Sequence, residues 1–126
     1  MIETNNKAFR REAERRLAQE VGRVLASSSD DCLHWQGSNI DLMEALHVSF
    51  TCGCLCDSNG QYLSFTAIVD RVCSVLHHRV PSNPYECAAR GSRRKGMHGR
   101  PYIDRYALIV GQQPDRSPLW EQIVQQ

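Results

Sequence analysis

The stretch SFTAIVDRVCSVLHH, residues 64–78, decides the fold class. Its apolar side chains recur every three or four positions, as on one face of an α-helix: Phe65, Ile68, Val69, Val72, Cys73 and Leu76. Ser64 stands where a helix takes its N-cap residue. His77 and His78 stand where the negative end of the helix dipole favours cations. The stretch therefore predicts a helix from Ser64 to about His78, with one face buried.

The next segment, NPYECAARGSRRKG at residues 83–96, has helix signals at both ends. Asn83 suits the N-cap, Pro84 the first helical position, and Gly96 the end, which predicts a short helix over 84–95. Two helices joined by a short proline-containing turn have the spacing of a helix-turn-helix, whose second helix enters a major groove. Asn83 and Tyr85 would then face the bases. Such a pair is also common in any all-α bundle.

Further helical segments flank this pair. Residues 6–26 carry apolar side chains on one face and predict a long amphipathic helix. Ser38 is expected to cap another helix, with Asp41 completing a capping box. Residues 101–110 fit a helix, although YALIV within them fits a strand equally well. Ser117 is expected to cap one or two final turns.

These segments together predict an all-α fold of five to six helices. The expected core is helix-turn-helix or winged-helix-like, preceded by a long N-terminal helix. At 126 residues the chain has the length of a single domain, residues 1–126. Within it we expect the amphipathic helix at 6–26, the core at 33–110 and a C-terminal tail helix in 111–126.

The sequence carries no signal for a membrane or for export. No apolar run approaches the roughly 20 residues that a membrane span needs. The first residues, MIETNNKAFRREAERR, are charged where a signal peptide would be apolar. We therefore expect a cytoplasmic protein without a membrane partner, whose cysteines are reduced thiols.

The net charge of +1 conceals a segregation of charge along the chain. Residues 30–70 hold six acidic side chains and no lysine or arginine. Residues 71–105 hold eight basic side chains against two acidic ones, Glu86 and Asp104. This local asymmetry, rather than the total, bears on the choice of partner.

The basic side chains concentrate in RGSRRKGMHGRP, residues 90–101. Lysine and arginine beside glycines, whose bare backbone approaches phosphates closely, are typical of a nucleic-acid interface. The predicted DNA-contacting residues are Arg90, Arg93, Arg94, Lys95, His98, Arg100 and Arg105. Helix capping and an ion pair between Glu86 and Arg90 would account for part of the same charge.

The remaining motifs give little support to metal binding or catalysis. CGCLC places Cys52, Cys54 and Cys56 close together, but structural zinc sites usually show two C-x(2–4)-C halves. No phosphate-loop, nucleophile-elbow, zincin or dinucleotide motif occurs in the sequence. We therefore expect no catalytic residue, no cofactor and no metal, and a protein that is not an enzyme.

Three segments resemble a known family. LHWQGSNIDLMEAL, LSFTAIVDRVCSVL and RRKGMHGRPYIDRY resemble the C-terminal region of RteC-type regulators of Bacteroidetes conjugative transposons. They are also similar to the TnpC family of mobilizable transposons. The resemblance covers residues 33 to about 110 and implies a helical regulator or accessory factor of excision or mobilisation. It implies entry roles for Trp35, Gly37 and Ser38. It also implies DNA contacts for Arg93, Arg94, Lys95 and Arg100.

Sequence and resemblance together predict a non-catalytic DNA-binding accessory or regulatory protein of a mobile genetic element. Phosphate contacts should dominate its binding, with weak sequence preference. Two alternatives stay open. In the first alternative, the chain is a protein-interaction module that forms a homodimer or contacts a recombinase, without direct DNA contact. In the second, it is a structural zinc-binding protein.

Overall fold

The computed structural model describes residues 2–94 and 99–126, with side chains from residue 7 onward. This part of the chain is mostly helical, with a small two-stranded sheet. The elements in chain order are α1 (Ile2–Leu25), β1 (Leu33–Trp35), α2 (Asn39–Cys52), α3 (Phe65–Val75), α4 (Pro84–Ser92), α5 (Tyr102–Gln112), α6 (Pro118–Glu121) and β2 (Ile123–Gln125). A 3-10 turn at Ser29–Asp31 separates α1 from β1.

The predicted N-caps of three helices are confirmed. The side chains of Ser38, Ser64 and Asn83 each accept a hydrogen bond from the backbone N–H three residues further on. Each bond satisfies one of the N–H groups that the first turn of a helix leaves without a partner. Ser117 stands at the N-cap position of α6 as predicted, but its side chain makes no such hydrogen bond.

Two helices end earlier than predicted. Helix α3 ends at Val75 rather than His78, because the chain turns at His77, which has a left-handed φ of 51°. Helix α4 ends at Ser92, with Arg93 as its C-cap. The predicted end at Gly96 lies outside the described residues. The segment after Pro101 is a helix and not a strand, and it runs on to Gln112.

The core joins the helices through one cluster of buried apolar side chains. Its largest fully buried members are Tyr106, Phe65, Leu17, Leu42, Met43, Leu46, Ile68, Leu76 and Leu119. The apolar stripe of α3 is buried as predicted. Although α1 has 24 residues, no described helix is long and apolar enough to cross a membrane.

The C-terminal tail is only partly helical, which corrects the predicted tail helix. After the single turn of α6, residues Ile123–Gln125 form β2 and pair antiparallel with β1. Trp35 lies opposite Ile123, and Leu33 lies opposite Gln125. Two flanking backbone bonds, from Gln36 to Gln122 and from Gln126 to Cys32, extend the pairing. The tail thus takes its conformation from a partner about ninety residues away.

The entry into α2 depends on a tryptophan lying over a glycine. Trp35 is buried, and its indole N–H donates to the carbonyl of Ser38 at 3.0 Å. A Cβ atom at Gly37 would lie 2.5 Å from the Trp35 ring. Only glycine therefore lets the chain pass beneath the ring into the helix.

Helix α4 packs chiefly against α2 rather than α3. Gly91 makes the close approach possible, because a Cβ atom there would lie 2.5 Å from the Glu44 carboxylate. A ring contact joins α3 to α4, with the Phe65 and Tyr85 centroids 4.6 Å apart. The arrangement sets the end of α4 and the start of α5 beside the first turns of α2.

Candidate nucleic-acid interface

A buried carboxylate binds two of the predicted DNA-contacting arginines. Asp41 accepts a hydrogen bond from Nη1 of Arg94 at 3.0 Å. It also accepts two from Arg105, at 2.6 Å to Oδ1 and 3.2 Å to Oδ2. The bond with Asp41 raises the pKa of the Arg105 guanidinium above its usual value. Asp41 therefore does not complete the predicted capping box, because its carboxylate points to α4 and α5 instead.

A second buried carboxylate, one turn along α2, caps the start of α5. Glu44 accepts from the backbone N–H groups of Tyr102 at 2.9 Å and Ile103 at 3.2 Å. Burial raises the pKa of Glu44, while these two backbone bonds act to lower it. The first turn of α5 has no capping side chain of its own, since its N-cap is Pro101. Glu44 supplies the acceptor that the sequence around Pro101 lacks.

Asp41 and Glu44 together anchor the chain on both sides of residues 95–98. Arg94 lies before the segment at 95–98, and Arg105 and the start of α5 follow it. The Nε of Arg105 also donates to the carbonyl of Arg100 at 3.1 Å. The backbone at Arg100 is thereby tied to the same anchored end of α5. Of the predicted contacts, Lys95 and His98 lie outside the described residues.

Two other predicted contacts share one exposed carboxylate on α4. Arg93 lies 3.2 Å and Arg90 lies 3.6 Å from the same oxygen of Glu86. All three side chains are largely exposed to solvent. Exposed ion pairs of this kind contribute little stability and are screened by salt. The pairing with Glu86 therefore holds Arg90 and Arg93 only weakly.

The side chain of Arg100 is exposed and lines a groove of about 600 Å³ between α1 and α5. Lys7 and Arg10 from α1 line the same groove. Arg10 forms an ion pair of 2.7 Å with Asp104, which lines the groove, and a second one of 3.6 Å with Glu14 of α1. Three basic groups thus lie near two acidic groups, both of which pair with Arg10. The sequence placed Lys7 and Arg10 about ninety residues from Arg100, so no local pattern could group them.

The residues predicted to face bases lie elsewhere and have local roles. The Asn83 side chain is occupied as the cap of α4. The Tyr85 ring contacts Phe65 and lies 5.9 Å from the ring of His47. Asn83 and Tyr85 both line a separate groove beside α2. The structure therefore does not bring Asn83 or Tyr85 into the groove that holds Arg100.

The cysteine-rich turn presents exposed thiols. Cys52, Cys54 and Cys56 are all exposed and free of disulfides. Partial desolvation of the Cys52 sulfur, together with the neighbouring Cys54, raises the pKa of the Cys52 thiol. Among the residues that the structure describes, no three side chains of the metal-ligating types come together as a binding site. The candidate ligands Cys52, Cys54 and Cys56 thus do not form a metal-binding cluster there.

Comparison of the chain with protein-family models, with curated proteins and with solved structures gives no match.

Proposed function

We propose that this protein binds DNA without catalysis, through phosphate contacts in the groove between α1 and α5. The observation that carries the proposal is the meeting of Lys7, Arg10 and Arg100 in that groove. Arg90 and Arg93, exposed at the C-terminal end of α4, offer further positive charge for phosphates. Arg94 and Arg105 serve as positioning residues, because Asp41 holds both.

The electrostatics of the groove favour a polyanion. Asp104 and Glu14 both pair with Arg10, so the excess of positive charge at this concave surface comes from Lys7 and Arg100. Lysine and arginine that neutralise phosphates release counterions from DNA, which makes affinity fall steeply with salt. Phosphate contacts fix position without reading sequence, so weak sequence preference is expected.

The internal pairing of the acidic and basic stretches weakens the interaction-module alternative. That alternative requires residues 30–70 of one copy to attract residues 71–105 of another. Asp41 and Glu44 belong to the acidic stretch, and both are buried against the basic stretch of the same chain. The attraction is thus used within the fold, where it orders α5.

Binding of DNA as a helix-turn-helix would be a more specific form of this proposal. Helix α4 would have to enter the major groove beginning at Asn83, whose side chain caps the helix. The basic C-terminal end of α4, with Arg90 and Arg93, is better suited to phosphates. The role in a mobile element, as regulator or accessory factor, rests on the sequence resemblance.

The proposal is tested by fluorescence anisotropy of a labelled random-sequence duplex at several salt concentrations. The variant Lys7→Ala/Arg100→Ala removes two charges from the groove. The control Arg15→Ala/Arg79→Ala removes two exposed charges elsewhere and leaves the net charge equal. We expect the groove variant to weaken binding and to flatten the slope of log K against log salt by about 0.9 per lost contact. Absence of binding at low salt, or equal effects of the two variants, would refute the proposal.

A further inference from the structure

An exposed aromatic ring lies among the basic side chains of the α1–α5 groove. Phe9 is 41% exposed, although it belongs to the apolar face of the long N-terminal helix. Leu108 of α5, 49% exposed, lines the same groove. Large apolar side chains exposed to solvent beside Lys7, Arg10 and Arg100 form a mixed apolar and basic surface.

The Phe9 ring is held in place by the backbone of α5. A Cβ atom at Gly111 would lie 2.4 Å from the tip of the ring, so the ring rests against a bare glycine. Any larger residue at this position would push the ring away. The tip of the ring thus contacts α5, while 41% of the residue stays exposed to solvent. A ring held in this way loses little conformational entropy when it binds a ligand.

We propose that the groove binds an unpaired nucleotide, whose base stacks on Phe9 while its neighbouring phosphates contact Lys7, Arg10 and Arg100. This inference rests on the proposed function, since it concerns the same groove. Proteins that bind single strands combine a basic groove with aromatic side chains on which bases stack. A volume of about 600 Å³ accommodates a base with its sugar, since ligand pockets commonly span roughly 300–1,000 Å³.

Stacking on Phe9 distinguishes single strands from duplexes. In a duplex the faces of the bases are covered by their neighbours, so an aromatic ring beside the backbone contacts no base face. In a single strand every base offers a face, and stacking tolerates any sequence. The phosphate contacts act on both forms. The protein therefore binds duplexes through charge alone and single strands through charge and stacking.

The experiment compares three probes on the full chain. They are an oligothymidylate of about 12 nucleotides, within the usual site sizes, an abasic strand of the same length and charge, and a duplex. The variant Phe9→Leu removes the ring and keeps an apolar side chain. Tyr62→Leu is the matched control, because Tyr62 is an aromatic residue 76% exposed outside the groove. Gly111→Ala is a second variant, which retains Phe9 but displaces its ring.

We expect the wild type to bind the thymidylate about 5- to 150-fold more tightly than the abasic strand, the range for one stacked base. Phe9→Leu should remove that preference without changing the salt slope, Gly111→Ala should reduce it, and Tyr62→Leu should leave it intact. If the wild type binds the thymidylate and abasic strands equally, stacking on Phe9 is overturned. If the Lys7→Ala/Arg100→Ala variant still weakens binding of both strands, the proposed function survives that result. A full preference retained in Phe9→Leu would also overturn stacking on Phe9. Absence of binding to every probe at low salt would overturn the proposed function as well.

Discussion

Asp41 in α2 binds the guanidinium of Arg105 in α5 through both carboxylate oxygens, at 2.6 and 3.2 Å. The pair joins residues 64 positions apart and fixes the start of α5 against α2. Because Arg94 shares the same carboxylate, two of the seven predicted DNA contacts have a structural role. In the function that we propose, binding of phosphates falls instead to side chains around the α1–α5 groove.

Loss of the Asp41 charge should destabilise the fold. Asp41→Asn leaves Arg94 and Arg105 beside a neutral amide that accepts through only one oxygen. We expect the free energy of unfolding to fall by about 2–3 kcal/mol, below the range for a fully buried pair because Arg105 is 40% exposed. Urea denaturation measures the change. The control Glu86→Gln removes an exposed partner and should cost about 0.5 kcal/mol. Equal effects of the two variants would show that Asp41 is no anchor.

Two helical glycines should respond to alanine in opposite directions. At Gly91 the new methyl group would lie 2.5 Å from Glu44, so α4 must move away from α2. We expect a loss of about 1–3 kcal/mol, as for other overpacked sites. At Gly22 the nearest atom, in Leu55, is 3.6 Å away, an ordinary contact. Alanine there should stabilise α1 by about 0.5–1 kcal/mol. Thermal melts compare the two, and a stabilising Gly91→Ala would contradict the packing.

Local sequence signals predicted the helices, whereas contacts between distant segments could not be predicted from the sequence. Ser38, Ser64 and Asn83 cap their helices because a cap needs only a backbone N–H three residues away. The pairing of β1 with β2 joins three-residue segments about ninety positions apart, too short for an alternating pattern. The Asp41 carboxylate likewise accepts its hydrogen bonds from arginines 53 and 64 positions away. The Ser38 half of the predicted capping box is therefore confirmed, and the reciprocal bond to the Asp41 carboxylate was wrong.

Two buried tyrosines should differ in what their hydroxyl groups contribute. The Tyr102 hydroxyl is buried and has no hydrogen-bond partner among the described residues. Tyr102→Phe should therefore be neutral or slightly stabilising. The Tyr106 hydroxyl donates to the Glu20 carboxylate, so Tyr106→Phe should cost about 1.5–3 kcal/mol, the range for bonds to charged groups. Chemical denaturation of both variants gives the comparison. A larger loss in Tyr102→Phe than in Tyr106→Phe would contradict the assignment.

The stability of the protein should contain a contribution from His47 that depends on pH. Burial, among the rings of Phe50, Phe65 and Tyr85, lowers the pKa of His47 below its ordinary 6.5. The unfolded chain therefore takes up the proton first, and stability is lost as pH falls through 6.5 towards the folded pKa.

The variant His47→Gln isolates this contribution. We expect its free energy of unfolding to fall less than that of the wild type between about pH 7.5 and about pH 5.5. Glu44, whose raised pKa acts in the opposite direction, is present in both proteins and cancels in the difference. Parallel profiles of stability against pH for the two proteins would show that folding leaves the pKa of His47 unchanged, which would contradict this prediction.

The groove that we propose as the interface was only partly predictable from the sequence. The sequence identified Arg100 from its place in a basic, glycine-containing stretch, and the structure adds Lys7, Arg10 and Phe9. These residues lie in the first turns of α1, where nothing in the local sequence points to a ligand. They meet Arg100 because α1 packs against α5. A charge pattern along the chain therefore indicated one side of the groove only.

The most direct test of the central claim is to map the amide chemical shifts of the labelled protein during titration with the oligothymidylate. The groove predicts the largest changes at Lys7–Arg11 in α1 and at Arg100–Leu108 in α5. Changes confined to residues 83–90, with α1 unaffected, would place the ligand on the N-terminal end of α4 and contradict the assignment of the α1–α5 groove.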